Sequence, residues 1–292
     1  MNELSNINDH MCVADDWSFP VETWDLAAIK DGDPHYHNVP PSMARCIVRT
    51  DTNQVLGVHG SKYKAIKHDD VVNSVFDAVA KANISHDYTS SVDVFDNGAK
   101  MRGVITFNDV TVQPVKDDYI KFQIKFFNSY DGSWAFQQIA QGIRLWCLNG
   151  CTTADTVANT WAKHTSNVNV EGSAAKIHAG LQSFLDTPAM YIEWMSIHVS
   201  DAIAEAFFKA TLCNVKTNTS KPKVNERQLD NLMGIWGKEK QSLGTNKWAL
   251  YNACTYWATH TDANKSPANT QRLRENALTK AFKSNEWRKQ LN

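Results

Sequence analysis

Tyr119 to Cys147 reads YIKFQIKFFNSYDGSWAFQQIAQGIRLWC, and its alternation sets the expected fold. Ile120, Phe122, Ile124 and Phe126 fall on one side of an extended strand, and Tyr119, Lys121, Gln123, Lys125 and Phe127 on the other. Asp131-Gly132 supplies a turn, because glycine adopts positive φ without steric cost and aspartate tolerates it. With those two residues at the centre, Lys125 lies opposite Gln138, Lys121 opposite Gly142, and Tyr119 opposite Arg144. Directly opposed residues share a face, so the returning strand adds Ile139, Ile143 and Leu145 to the apolar side and Arg144 and Trp146 to the basic side. Gln137 and Gln141 also fall on the apolar side, so the division is imperfect, but a slip of one residue would mix the faces far more. A basic and aromatic sheet face suits a nucleic-acid backbone with unstacked bases, and equally a solvated outer face that carries lysines.

Working outward, Lys100–Phe107 repeats the division, with Met101, Gly103, Ile105 and Phe107 against Lys100, Arg102, Val104 and Thr106. An Asn97-Gly98 turn places Asp93 opposite Arg102, which partly neutralises the basic side. Residues 44–60 read as a hairpin turning at Asp51–Asn53. An amphipathic helix follows, capped at Asp69 or just before it, with Val71, Val72, Val75, Val79 and Ala80 as its stripe. Thr111–Val115 reads as a short edge or connecting segment and Thr153–His164 as a short helix. Helical spacing runs over 174–212, with a new helix or kink at Pro188. Residues 214–223 read as a loop, and three helices are expected at 227–236, 247–259 and 270–289. Strands clustered first and helices later indicate an α+β fold: an antiparallel sheet built from hairpins with a helix insertion, backed by a C-terminal helical region. The expected organisation is an irregular arm over 1–41, with Trp17, Phe19 and Trp24 docked on the body, an α+β core over 42–212, and a basic helical region over 213–292.

The chain has 292 residues, 42% hydrophobic and 21% charged, and a net charge of −1. That charge hides an asymmetry: residues 213–292 hold 14 Lys and Arg against 6 Asp and Glu. No apolar run approaches the roughly 18–20 residues of a membrane span, and the polar N-terminus has no targeting character, so no membrane association is expected. Six scattered cysteines form no disulfide framework and are expected as reduced, mostly buried thiols. Cys147 and Cys151 lack the second ligand pair that a metal site needs. No phosphate loop, dinucleotide fingerprint, nucleophile elbow or zinc-peptidase motif occurs, so no catalytic residue, metal or cofactor is assigned and an enzyme is not the expected reading. In the 247–260 segment, Trp248, Tyr251, Asn252 and Thr255 share one helical face that ends near His260. That stripe reads either as a ligand or base site or as a buried hydrogen-bonded packing seam, and the seam is preferred.

Three stretches together resemble a known group: Val48-Arg-Thr-Asp-Thr52 with Leu56-Gly-Val58; Asn128-Ser-Tyr-Asp-Gly-Ser133 with Arg144 and Cys147-Leu-Asn149; and Trp248–His260 with Arg272-Leu273. They resemble the phage and plasmid protein family called domain of unknown function 932, over roughly residues 44–290. Tyr130 stands where that family often has a histidine before Asp-Gly-Ser, whereas His260 matches a family-typical position. The resemblance implies a phage or mobile-element source and the host cytoplasm, without a settled activity. The expected architecture is similar, more weakly, to phage single-strand annealing proteins, which implies a homo-oligomer acting in DNA recombination. The leading expectation is therefore a single-stranded DNA-binding protein. In it Lys100, Arg102, Lys121, Lys125 and Arg144 neutralise phosphates and Tyr119, Phe127 and Trp146 stack on bases. The alternative is an interaction protein that binds or inhibits a host or defence protein.

Overall fold

The computed structural model describes residues 17–32, 35–115, 118–144, 149–151, 159–162, 171–215, 223–261 and 267–289. It is an α+β structure. Strands β1 (Val21–Asp25), β4 (Arg45–Arg49) and β5 (Gln54–His59) form one antiparallel sheet in the order β1-β4-β5. β2 (Ala27–Ile29) and β3 (Tyr36–Asn38) form a separate hairpin. The larger sheet runs β10-β9-β8-β7-β6, with β11 also on β9; its strands are β6 (Tyr88–Phe95), β7 (Lys100–Val115), β8 (Asp118–Ser129), β9 (Phe136–Arg144), β10 (Asn149–Cys151) and β11 (Asn159–Ala162).

Helix α1 (His68–Ala82) separates the two sheets in sequence. The later part of the chain holds α2 (Glu171–Leu185), α3 (Thr187–Ser196), α4 (Asp201–Thr211), the short strands β12 (Asn214–Val215) and β13 (Lys223–Val224), α5 (Glu226–Leu243), α6 (Lys247–His260), α7 (Pro267–Phe282) and α8 (Asn285–Lys289). The chain divides into two compact units. The first comprises Met1–Asp109, Gln123–Ala140 and Ala158–Ala179, and the second comprises Val110–Phe122, Gln141–Val157 and Gly180–Asn292.

In the first unit the 44–60 hairpin is β4–β5, with Asn53 in the left-handed region at φ 54°. The register shifts between Ile47 and Val48, so Leu56 is the extra residue of a bulge. Ile47 and Leu56 bury with Ala99 and Tyr130 in one apolar cluster, against which Phe19, Val21 and Tyr63 pack. Val71, Val72, Val75 and Val79 of the α1 stripe are buried, whereas Ala80 is exposed, and the N-cap is Lys67, ahead of Asp69 and Asp70 in the first turn. β6 and β7 pair with Asp93 opposite Arg102, across a connection whose Asp96, Asn97 and Gly98 all have positive φ. Glycine is needed at 98: a Cβ there would lie 2.5 Å from the Phe19 ring.

Further expectations change. The helix expected over 270–289 is two, α7 and α8, with Lys283 and Ser284 between them. The arm is not irregular from Val21 onward, because β1 pairs with β4 and β2 with β3, and Trp24 is 41% exposed instead of docked. Thr111–Val115 is no separate segment but the end of the long β7. Within 153–164, Asn159–Ala162 is a strand on β9 and not part of a helix, and the rest lies outside the described residues. The ends of the expected 214–223 loop pair as β12 and β13, and 216–222 lie outside the described residues. The Asp131-Gly132 turn is broader than two residues, because β8 ends at Ser129 and β9 begins at Phe136. Ser129 explains the width: its hydroxyl donates to the Trp134 carbonyl at 2.8 Å and accepts from the Trp134 amide at 3.0 Å, closing the connection as a compact loop.

The second unit is built around α6, buried nearly all round. Tyr191 and Trp194 of α3, Phe207 of α4, Trp248 and Tyr251 of α6, Phe282 of α7 and Trp287 of α8 form a continuous aromatic core, with ring centroids 4.5–6.4 Å apart. Asn246 caps α6 by accepting from the Ala249 amide at 2.9 Å. Pro188 starts α3, where its missing N–H costs nothing.

Candidate functional site

The residues expected on one basic, aromatic face fall into both units. Lys100, Arg102, Lys125 and Phe127 belong to the first and Tyr119, Lys121 and Arg144 to the second. Trp146 and the Arg144 side chain lie outside the described residues. Tyr119 is 43% exposed and Lys121 half-buried.

In the first unit the expected open face is closed. Gln123 through Tyr130 are all buried, so both sides of β8 are covered there. Lys100 is 6% exposed, and its ammonium lies 2.5 Å from the Asp96 carboxylate and 3.2 Å from that of Asp131. Arg102 pairs with Asp93 at 2.7 Å, with its guanidinium over the Phe95 ring. Lys125 is 8% exposed, and Phe127 sits edge-on to Trp134 at 5.7 Å, which in turn packs on Phe95. Lys100, Lys125 and Phe127 are therefore withdrawn from a phosphate- and base-binding stripe: the loop folds Trp134 back over Phe127, and carboxylates consume the charge of Lys100.

The stripe on α6 lies in the interior of the second unit. Trp248, Tyr251, Asn252 and Thr255 are fully buried. Three of its polar side chains turn to their own helix: Asn252 Nδ2 donates to the Trp248 carbonyl at 2.8 Å, Thr255 to that of Asn252 at 3.0 Å, and Thr259 to that of Thr255 at 2.8 Å. His260 is exposed at the helix end and stacks on Tyr256 with centroids 4.6 Å apart.

A different group of residues converges in the first unit. The Leu56-Gly-Val58 and Asn128–Ser133 stretches, some seventy residues apart in sequence, meet at the Tyr130 carbonyl. His59 Nε2 lies 2.6 Å from that oxygen and, since a carbonyl only accepts, donates to it, leaving Nδ1 with the lone pair of the neutral ring. Gly57 allows the approach, because a Cβ there would be 2.3 Å from the same oxygen. Tyr63 stacks on His59 with centroids 3.7 Å apart and an interplanar angle of 8°, and its hydroxyl donates to the Ser129 carbonyl at 2.9 Å. Beneath them His68 is clamped. Its Nε2 donates to the Gly98 carbonyl at 3.0 Å, its Nδ1 accepts from Asn128 Nδ2 at 3.0 Å, and its amide donates to the Tyr130 hydroxyl at 2.9 Å. Asn128 Nδ2 also donates to the Ile66 carbonyl at 2.8 Å.

The electrostatics of the cluster follow from burial and pairing. Burial pushes the phenols of Tyr63 and Tyr130 well above their ordinary range, so both stay neutral. Burial alone would raise the Asp131 carboxyl, but hydrogen bonds from Ser133 and Lys100 outweigh it and hold the group below the usual carboxylate range. Burial likewise opposes the charge on Lys100, and its bonds to Asp96 and Asp131 more than restore it. Among the described residues no group of three or more His, Cys, Asp or Glu side chains could hold a metal ion.

The connection from β5 to α1, Gly60–Lys67, is one place where cationic charge is open to solvent. Lys62, Lys64 and Lys67 are all exposed, and none of the three forms an ion pair among the described residues. Side chains tie the connection to Asn128–Tyr130: His59, just before it, donates to the Tyr130 carbonyl, Tyr63 donates to the Ser129 carbonyl, and Asn128 donates to the Ile66 carbonyl. The alternation Lys-Tyr-Lys at 62–64 signals an aromatic residue between cations, but a short linker before a helix offers no periodicity from which to read it.

No match was found among the curated proteins or among the solved structures. The pattern of the family described as Domain of unknown function (DUF932) matches residues 55–280, a span that includes Gly57, His59, Tyr63, His68 and Asn128–Ser133, and the chain belongs to that family.

Proposed function

We propose that the protein binds single-stranded nucleic acid through the Gly60–Lys67 connection. The observation that carries this reading is the set of three exposed lysines on a short segment whose path is fixed by side-chain bonds to the Asn128–Tyr130 backbone and side chains. Ammonium groups on a pre-set loop track phosphates at little ordering cost. Exposed Tyr119 and half-buried Lys121 support a further contact in the other unit. A phage or mobile-element source, the host cytoplasm, and annealing of strands by a homo-oligomer are the finer form of this proposal. No metal or nucleotide enters the mechanism. The test is fluorescence polarisation with an oligo-dT strand at low and moderate salt. Lys62→Ala/Lys64→Ala/Lys67→Ala should weaken binding at least about tenfold and, at roughly 0.7 per lost contact on a single strand, flatten the log–log salt slope by about 2. Binding and slope equal to the parent would overturn it.

A second reading, an interaction protein directed at a host or defence protein, is favoured by one observation. Trp24 and Val58 flank Cys46 on one row of the β1-β4-β5 sheet and are 41% and 56% exposed, and Val55 on the same sheet is 54% exposed. A pulldown from nuclease-treated host lysate should then retain a partner that Trp24→Ser/Val58→Ser releases, and equal capture by the variant would remove this reading.

A further inference from the structure

His59 and Tyr63 form a parallel ring stack beside the three lysines, and the arrangement is built from both sides. Tyr63 packs against the Ile47, Leu56, Ala99 and Tyr130 cluster, and its ring takes His59 at 3.7 Å. His59 itself is half-buried. Its ring is held by Nε2 on the Tyr130 carbonyl, a bond that fixes both tautomer and orientation. The loop that passes His59 does so at Gly132, where φ is +71° and a Cβ would come 3.0 Å from His59 Cε1. A glycine at this point keeps side-chain atoms off the edge of the imidazole.

We infer that the His59–Tyr63 stack is the nucleobase platform of this protein: an unpaired base adds to the imidazole as a further layer while Lys62 and Lys64 take the flanking phosphates. The inference rests on the nucleic-acid reading above and specifies its chemistry. The ligand is a strand whose bases are free to splay out, and the platform tolerates any sequence, because every base has a π-face. It also gives Gly132 a role besides its backbone conformation, since a side chain there would crowd the ring on which the base stacks.

The experiment compares an oligo-dT strand with an abasic phosphodiester strand of equal length and charge, titrated into the full chain by fluorescence anisotropy. The parent should bind the dT strand roughly tenfold or more tighter, the range that stacking of one base supplies. His59→Ala should erase that preference and His59→Phe, which keeps a ring, should retain it. The triple lysine variant should weaken both strands by similar factors. Equal binding of the two strands by the parent overturns the platform and leaves the nucleic-acid reading standing, and it needs no variant that must fold. Binding of neither strand overturns both. A preference that survives in His59→Ala overturns the platform alone.

Discussion

Gly103→Ala should destabilise the protein by at least about 3 kcal/mol, the upper part of the usual range for overpacking a core. The methyl would sit 1.9 Å from Phe126 Cζ and within 2.4 Å of two further ring carbons, inside the ring itself. Neither partner can yield easily. Gly103 lies mid-strand in β7, opposite Val92 of β6, so its backbone is held by the ladder. Phe126 is fully buried, as are Met101, Ile105 and Phe107 on the same face of β7. Interiors packed to crystal-like density have no void into which the ring can swing. The expected loss is a large share of a total stability of about 5–15 kcal/mol. Urea denaturation measures it. In the double variant Gly103→Ala/Phe126→Leu, the cost should fall well short of the sum of the two single costs, since the smaller side chain removes the clash. Parent-like stability of Gly103→Ala, or additive costs in the double variant, would refute the explanation.

That glycine illustrates what was legible in the sequence. Alternation over Met101–Phe107 and Ile120–Phe126 names the apolar face of β7 and β8, and the structure buries those side chains completely. The Asp93–Arg102 pairing and the valines of the α1 stripe follow from turn chemistry and periodicity, and both are observed. Alternation assigns a residue to a side of a sheet but says nothing of what covers that side. Lys100, Lys125 and Phe127 are all buried; Trp134 returns over Phe127 and two carboxylates reach Lys100. The short strands β1, β2 and β3 were illegible for a related reason: three to five residues give too few periods to separate strand from arm. The convergence of Gly57, His59 and Tyr63 on Asn128–Tyr130 is a tertiary fact, closed by hydrogen bonds across more than sixty residues of chain. Its one sequence trace is that two of the three stretches carrying the family resemblance are the ones that meet.

Asn128→Asp tests the buried centre of that convergence, and it should cost about 2–5 kcal/mol at neutral pH while changing almost no volume. The wild-type amide is read by its donors. Nδ2 satisfies the Ile66 carbonyl at 2.8 Å and His68 Nδ1 at 3.0 Å, whereas Oδ1 is buried without a hydrogen-bond partner. A carboxylate supplies neither donor. It strands two buried acceptors, at roughly 1–3 kcal/mol each, and sets its charge against the Ile66 oxygen. The pH dependence separates this from a mere loss of packing. A buried, unpaired carboxyl has its folded-state pKa raised above its unfolded value, so the destabilisation is present above the folded pKa and relieved as pH falls through it. Proton uptake by His68 instead, giving an imidazolium that faces the carboxylate, has the same sign, because either route adds one proton to the folded state alone. Stability relative to the parent should therefore recover between pH 7 and pH 5 in urea melts. Asn128→Leu, which strands the same two acceptors without a titratable group, should be similarly destabilised and show no such recovery. If the two variants follow parallel pH profiles, the donors of Asn128 are not what holds His68 and the Gly60–Lys67 connection in place.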